Sequence, residues 1–152
     1  KKIMVVTNSL TGGGAERSMN LACNELTRRG WPVALVPINS GPPIKSLQAA
    51  KFSLWSGNGE VVGWELCSDE EIHLVVKMWK PDVIVLNCDL PELFGATLLS
   101  HHNLVVIEHV DRPWITRIMF GRIIRRLLRL RQSKWATVSS HLAIWPDSRN
   151  AD

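Results

Sequence analysis

Residues 7–18 read "TNSLTGGGAERS", with three consecutive glycines, Gly12 to Gly14, between an apolar run and the start of a helical pattern. A glycine turn at that point lets backbone N–H groups and the N-terminus of the following helix approach an anion such as a phosphate. One glycine covers most turns; three in a row, followed by the small Ala15, favour close approach of a ligand. Two familiar phosphate devices are excluded. A dinucleotide fingerprint G-x-G-x-x-G begun at Gly12 needs glycine at position 17, where Arg17 stands, and the run "VPINSG" offers Asn39 rather than an acid for a ribose. A P-loop needs Gly-Lys-Ser/Thr, and "GAERS" has no lysine. A second cluster, "EHVD", sets Glu108, His109 and Asp111 directly after the apolar run 104–107. A histidine in a polar cluster at the carboxyl end of a strand is a better candidate for a site residue than a lone histidine elsewhere.

These residues need elements to position them. Apolar, β-branched runs recur at 3–6, 33–38, near 61 and 62, 83–86, 104–107 and 136–139, and several are continuous, as in strands buried on both faces of a parallel sheet. Helical patterns lie between them. In 15–29, Ala15, Met19, Ala22 and Leu26 share one face, and Gly30 follows Arg28 and Arg29 as a stop. Residues 69–79 open on acidic "SDEE" and end before Pro81; residues 91–102 open on Pro91-Glu92. Strands alternating with such helices predict right-handed crossovers and a Rossmann-like, doubly wound α/β sheet in three layers. Residues 40–60, with Gly-Pro-Pro and Gly-Asn-Gly, read as loops around a short helix.

At 152 residues with 45% hydrophobic content, the chain has the length of one domain with a substantial core. Cys23, Cys67 and Cys88 are odd in number, far apart and beside apolar segments, which predicts a reduced, cytosolic chain. No apolar run reaches membrane-spanning length, and the run after Lys1-Lys2 is too short for a signal sequence. The seven scattered Trp read as packing residues.

The stretch "KIMVVTNSLTGGGAERSMNLACNELTRRGWPVALV" resembles the opening of a GT-B glycosyltransferase of the family 4 type, with its strand, Gly-Gly-Ala-Glu-Arg turn, amphipathic helix and second strand. "KPDVIVLNCD" (80–89), "VVIEHVDRPW" (105–114) and "WATVSSHLA" (135–143) extend the resemblance in order over most of the chain. The resemblance implies the N-terminal, acceptor-side Rossmann-like domain over residues 1–152, inactive alone, with the donor domain and its Glu-x7-Glu motif beyond Asp152. It implies transfer from a nucleotide-sugar to a glycan or lipid-linked acceptor in surface polysaccharide or glycolipid assembly, with no cofactor beyond that co-substrate. A binding module for a small phosphorylated ligand is the alternative.

On this resemblance Gly13 and Gly14 lie over the donor diphosphate and admit the acceptor, and Glu16 and Arg17 continue the motif into the first helical turn. His109 meets the donor sugar near the reacting carbon or orients the acceptor. Glu108 and Asp111 are general-base candidates for an inverting reaction; in a retaining one, donor phosphate is the base and these acids shape the pocket. Asn87 is a candidate for acceptor hydroxyls, whereas Asp89 reads as the cap of the next helix. No metal is expected, in keeping with the lack of any Asp-x-Asp.

The formal charge of +4 is unevenly spread: residues 112–134 hold seven Arg and one Lys and no acid. Over 115–131, Ile123, Ile124, Leu127, Leu128 and Leu130 gather on one side, and Arg122, Arg125, Arg126 and Arg129 on the other. The expectation is that the apolar side packs on the sheet and the arginines face solvent or anionic lipid head groups, placing the protein in the cytoplasm, peripherally on the inner membrane. Interleaved aromatics and a recognisable module are lacking, so no nucleic-acid partner is expected.

Overall fold

The computed structural model describes residues 1–8, 14–37, 50–55, 61–66, 73, 76–87, 89–109 and 114–139. The strands are β1 (Ile3–Thr7), β2 (Val33–Pro37), β3 (Ala50–Trp55), β4 (Val61–Leu66), β5 (Val83–Asn87), β6 (Leu104–Glu108) and β7 (Lys134–Thr137). They form one sheet in the order β4-β3-β2-β1-β5-β6-β7. The five strands β2-β1-β5-β6-β7 are parallel throughout, as their continuous apolar runs predict.

The hairpin β3-β4 runs antiparallel to β2 and closes that edge, so 50–55 is a strand where the sequence reading had a short helix among loops. The alternation in "AKFSLW" and "VVGWEL" is the signal that reading passed over. Pairing sets Phe52 opposite Trp64 and Leu54 opposite Val62, so the apolar positions of both strands share a register.

Helix α1 (Gly14–Arg28) lies on one face of the sheet; α2 (Asp89–Ala96), α3 (Ile118–Leu130) and the helical residues 76–79 lie on the other. The alternation within β1 separates the two cores. Val5 packs with Met19, Cys23, Val33 and Leu35 under α1. Met4 and Val6 join Ile84, Leu86, Phe94, Val106, Ile124 and Leu128 under α2 and α3. This is the expected Rossmann-like three-layer α/β/α arrangement.

Gly30 ends α1 with φ 82°, and the Trp31 amide donates back to the Leu26 carbonyl at 3.1 Å. Helix α2 starts two residues earlier than Pro91-Glu92 suggested and stops at Ala96. There the Thr97 hydroxyl donates to the Leu93 carbonyl at 2.7 Å, and residues 97–100 turn towards β6.

Candidate functional site at the carboxyl edge of the sheet

Strand β1 has β2 on one side and β5 on the other, with the connecting helices on opposite faces, so the chain leaves β1 in both directions. The carboxyl ends of β1 and β5 therefore frame the topological switch point where open α/β sheets bind ligands. Thr7 and Asn87 end these strands as register partners. Both are buried, and the Asn87 Nδ2 donates to the Thr7 hydroxyl at 2.9 Å. The pair ties the two strands together at the carboxyl edge. Thr7 escaped the sequence reading, although it stands at the head of the glycine segment.

The helix that rises from this edge begins at Gly14, which is exposed. No atom of the described residues lies within 4 Å of the place its Cβ would occupy, so their packing does not demand glycine there. Arg17 is also exposed, in the first turn; Glu16 belongs to α1, and Gly13 and Asp111 lie outside the described residues. His109 follows β6 at the same edge, half-buried.

Glu108 and Arg125 require correction. Glu108 lies under α3 and is 1% exposed. Its carboxylate accepts from Arg125 Nη1 at 2.6 Å, so it does not stand open to the cleft as a base. Arg125, expected at an anionic surface, is 4% exposed. Its Nη2 and Nε donate to Glu92 at 2.8 and 3.1 Å, Trp114 Nε1 donates to the same carboxylate at 2.7 Å, and the guanidinium carbon lies 5.1 Å from the Trp135 ring centre. Two carboxylates share one guanidinium in a buried site. Burial pushes Glu92 up to about 7 against the opposing pull of Arg125, and burial works against the Arg125 charge while Glu92 and Glu108 hold its pKa raised.

Helix α3 therefore buries Gly121, Ile124, Arg125 and Leu128, whereas Ile123 and Leu130, expected to pack on the sheet, are exposed. Arg122, Arg126 and Arg129 are exposed as expected. Asp89 is helical rather than a cap. Its carboxylate accepts from the Trp114 backbone N–H at 3.1 Å, and burial raises its pKa, opposed by that bond and by Arg125. Glu92 carried no signal beyond its position in a first helical turn. Only the fold, which sets α2 beside α3, makes it an ion-pair partner.

Among the described residues no group of His, Cys, Asp or Glu could hold a metal ion, and no helix is long and apolar enough to cross a membrane. Cys23 is a free, buried thiol pushed up to about 12 by burial; Cys67 and Cys88 lie outside the described residues. A cleft of about 400 Å³ lies at the opposite, amino edge of the sheet, lined by Lys1, Asp82, Asn103, Gln132 and Lys134 among others. It is remote from the carboxyl edge.

The strand order and its switch point define a Rossmann-like α/β domain. No protein-family model, curated protein or solved structure matches this chain.

Proposed function

We propose that this chain is the acceptor-side domain of a GT-B glycosyltransferase. It would transfer a sugar from a nucleotide-sugar to a glycan or lipid-linked acceptor, in surface polysaccharide or glycolipid assembly. The observation that carries this reading is positional: the glycine-opened N-terminus of α1 and His109 stand at one sheet edge, on either side of the Thr7–Asn87 pair.

In this reading the first-turn amides of α1 stabilise the departing diphosphate, with no metal required. Among the described residues, none lies within 4 Å of the place a Gly14 Cβ would occupy, in keeping with room for that group. His109 orients the reacting sugar or the acceptor. The Arg125 bond withdraws Glu108 from proton transfer. Asp111 is then the acid of the cluster left for base catalysis if configuration inverts, and donor phosphate is the base if it is retained.

The test uses the whole polypeptide encoded with this chain and a panel of labelled nucleotide-sugars, with polysaccharide and total lipid extract as acceptors. The reading predicts label in a glycan or lipid product, loss of that label in Gly14→Val with the fold intact, and a Glu-x7-Glu segment within roughly one further domain after Asp152. A reading frame that stops at Asp152, with no transfer from any donor, overturns it and leaves the phosphoryl-ligand binding module.

A further inference from the structure

We propose that Glu92 and Trp114 form a proton-operated latch on the turn that opens α3: the indole stays seated while Glu92 holds a proton and leaves its socket when that proton is lost. The inference stands independently of sugar transfer.

Trp114 is seated against the preference of its own backbone. Its indole Nε1 donates to the Glu92 carboxyl at 2.7 Å, and its backbone N–H donates to Asp89 at 3.1 Å. Its side chain lies on Gly121, where a Cβ would collide with it, and the residue is buried. Its φ of 59° lies in the left-handed region, which is costly for a bulky side chain and persists only when the surroundings impose it. Such strain favours departure once a holding contact weakens. The Arg117 amide donates to the Trp114 carbonyl at 2.8 Å, so the turn 114–117 is tied to the latch.

Glu92 is the contact that can change. It is fully buried, and Arg125, which donates to it through Nη2 and Nε, also donates to Glu108 through Nη1. One guanidinium divided between two carboxylates does not offset the loss of water around Glu92, and burial pushes its carboxyl up to about 7. The charges around it come from three elements. On α2, Asp89 holds the backbone of Trp114, and burial raises its pKa in the same direction. Glu108 faces it from β6 and Arg125 from α3; Arg131 reaches α2 only at its last turn, where it donates to the Ala96 carbonyl. Strands β1 and β5, which also pack against α2, carry no titratable side chain.

An ionised Glu92 gains water only if a group over it moves, and Trp114 carries the strain. The seated state holds the Glu92 proton up to about pH 7, whereas a hydrated Glu92 holds it only to the ordinary 4.5. Release therefore grows as pH rises from about 4.5 and levels off above about 7, and those two values bound the change at roughly 300-fold. Asp89 opens α2 just after the end of β5, so release acts at the carboxyl edge.

The experiment is hydrogen exchange of the Trp114 indole N–H, followed by NMR on the full chain from about pH 4.5 to 8.5 and corrected for the exchange of free indole. Amides of β1, at the centre of the sheet, report global unfolding. The expected result is a fall in Trp114 protection of at least about tenfold between pH 4.5 and 7, with no further fall above that. Sub-denaturing urea leaves this exchange unchanged while accelerating that of the β1 amides. In Glu92→Gln most of the fall disappears. In Glu108→Gln, which removes the competing carboxylate and serves should Glu92→Gln fail to fold, the fall shrinks. It persists in His109→Gln, since an ordinary histidine titrates in the same range and must be separated from Glu92. Constant protection in the wild type overturns the proposal, as does a fall that Glu92→Gln and Glu108→Gln leave unchanged or that His109→Gln removes. Urea dependence equal to that of the β1 amides overturns it too, because Trp114 would then open only with the whole domain.

Discussion

Helices α1 and α3 cover opposite faces of the same sheet, and their amphipathic patterns had opposite fates. In α1 the apolar stripe Met19, Ala22, Cys23 and Leu26 turns inward, and the charges stay in water. Glu25 there accepts from Arg28 and Arg29 at 2.7 Å, and those bonds pull its pKa down to about 2 at the helix surface. In α3 an arginine turns inward between Ile124 and Leu128, while Met119, Ile123 and Leu130 turn outward. A helix follows its hydrophobic stripe only when the surface it meets is apolar. The surface under α3 carries Glu92 and Glu108. Two buried carboxylates without a cation cost more than several exposed methyl groups, so charge satisfaction sets the rotation of α3.

The comparison is broken most forcefully at its charged centre. Arg125→Ala should destabilise the domain by about 3–5 kcal/mol in urea unfolding, because it removes the cation that the buried Glu92 and Glu108 share. On α1, Arg28→Ala should leave the unfolding midpoint unchanged, since its ion pair is exposed. Equal effects from the two substitutions would remove the distinction between the helices.

Gly121→Ala comes next. A Cβ there collides with the Trp114 side chain, so a loss of about 1–3 kcal/mol is expected, measured the same way. Gly14→Ala, with nothing in its way, should shift stability by less than about 1 kcal/mol.

The pH dependence separates the two carboxylates by sign. Glu92 holds its proton up to about pH 7 in the folded chain and only to its ordinary value of 4.5 when unfolded. Its contribution is therefore fully present below about pH 4.5 and is lost as pH rises towards 7. Glu25 acts in the other direction, its contribution present above about 4.5 and lost as pH falls through about 2. Glu92→Gln should flatten the slope of unfolding free energy between pH 4.5 and 7, and an unchanged slope would place the titration elsewhere.

What the sequence disclosed follows the same divide. The parallel strands and α1 were legible because each buries a continuous or periodic apolar set, and local pattern and tertiary environment agree. The β3-β4 hairpin was hidden behind the turn residues around it, though its alternation was present. The orientation of α3 was illegible because its determinants, Glu92 and Glu108, lie 33 and 17 residues before Arg125 and meet it only in the folded sheet. At the carboxyl edge, His109 and the start of α1 could be placed from strand ends alone. The inward turn of the neighbouring Glu108 depended on the same hidden partner.

Glu108 and His109 are adjacent in sequence and divided in role, so the most direct test of the carboxyl-edge site compares them within the whole encoded polypeptide. In a nucleotide-sugar transfer assay coupled to thermal melting, His109→Ala should lower kcat at least about tenfold with an unchanged melting temperature. Glu108→Gln should lower the melting temperature and leave turnover per folded molecule near the wild-type value. Wild-type kcat in His109→Ala, together with lost turnover in a fully folded Glu108→Gln, would contradict the account.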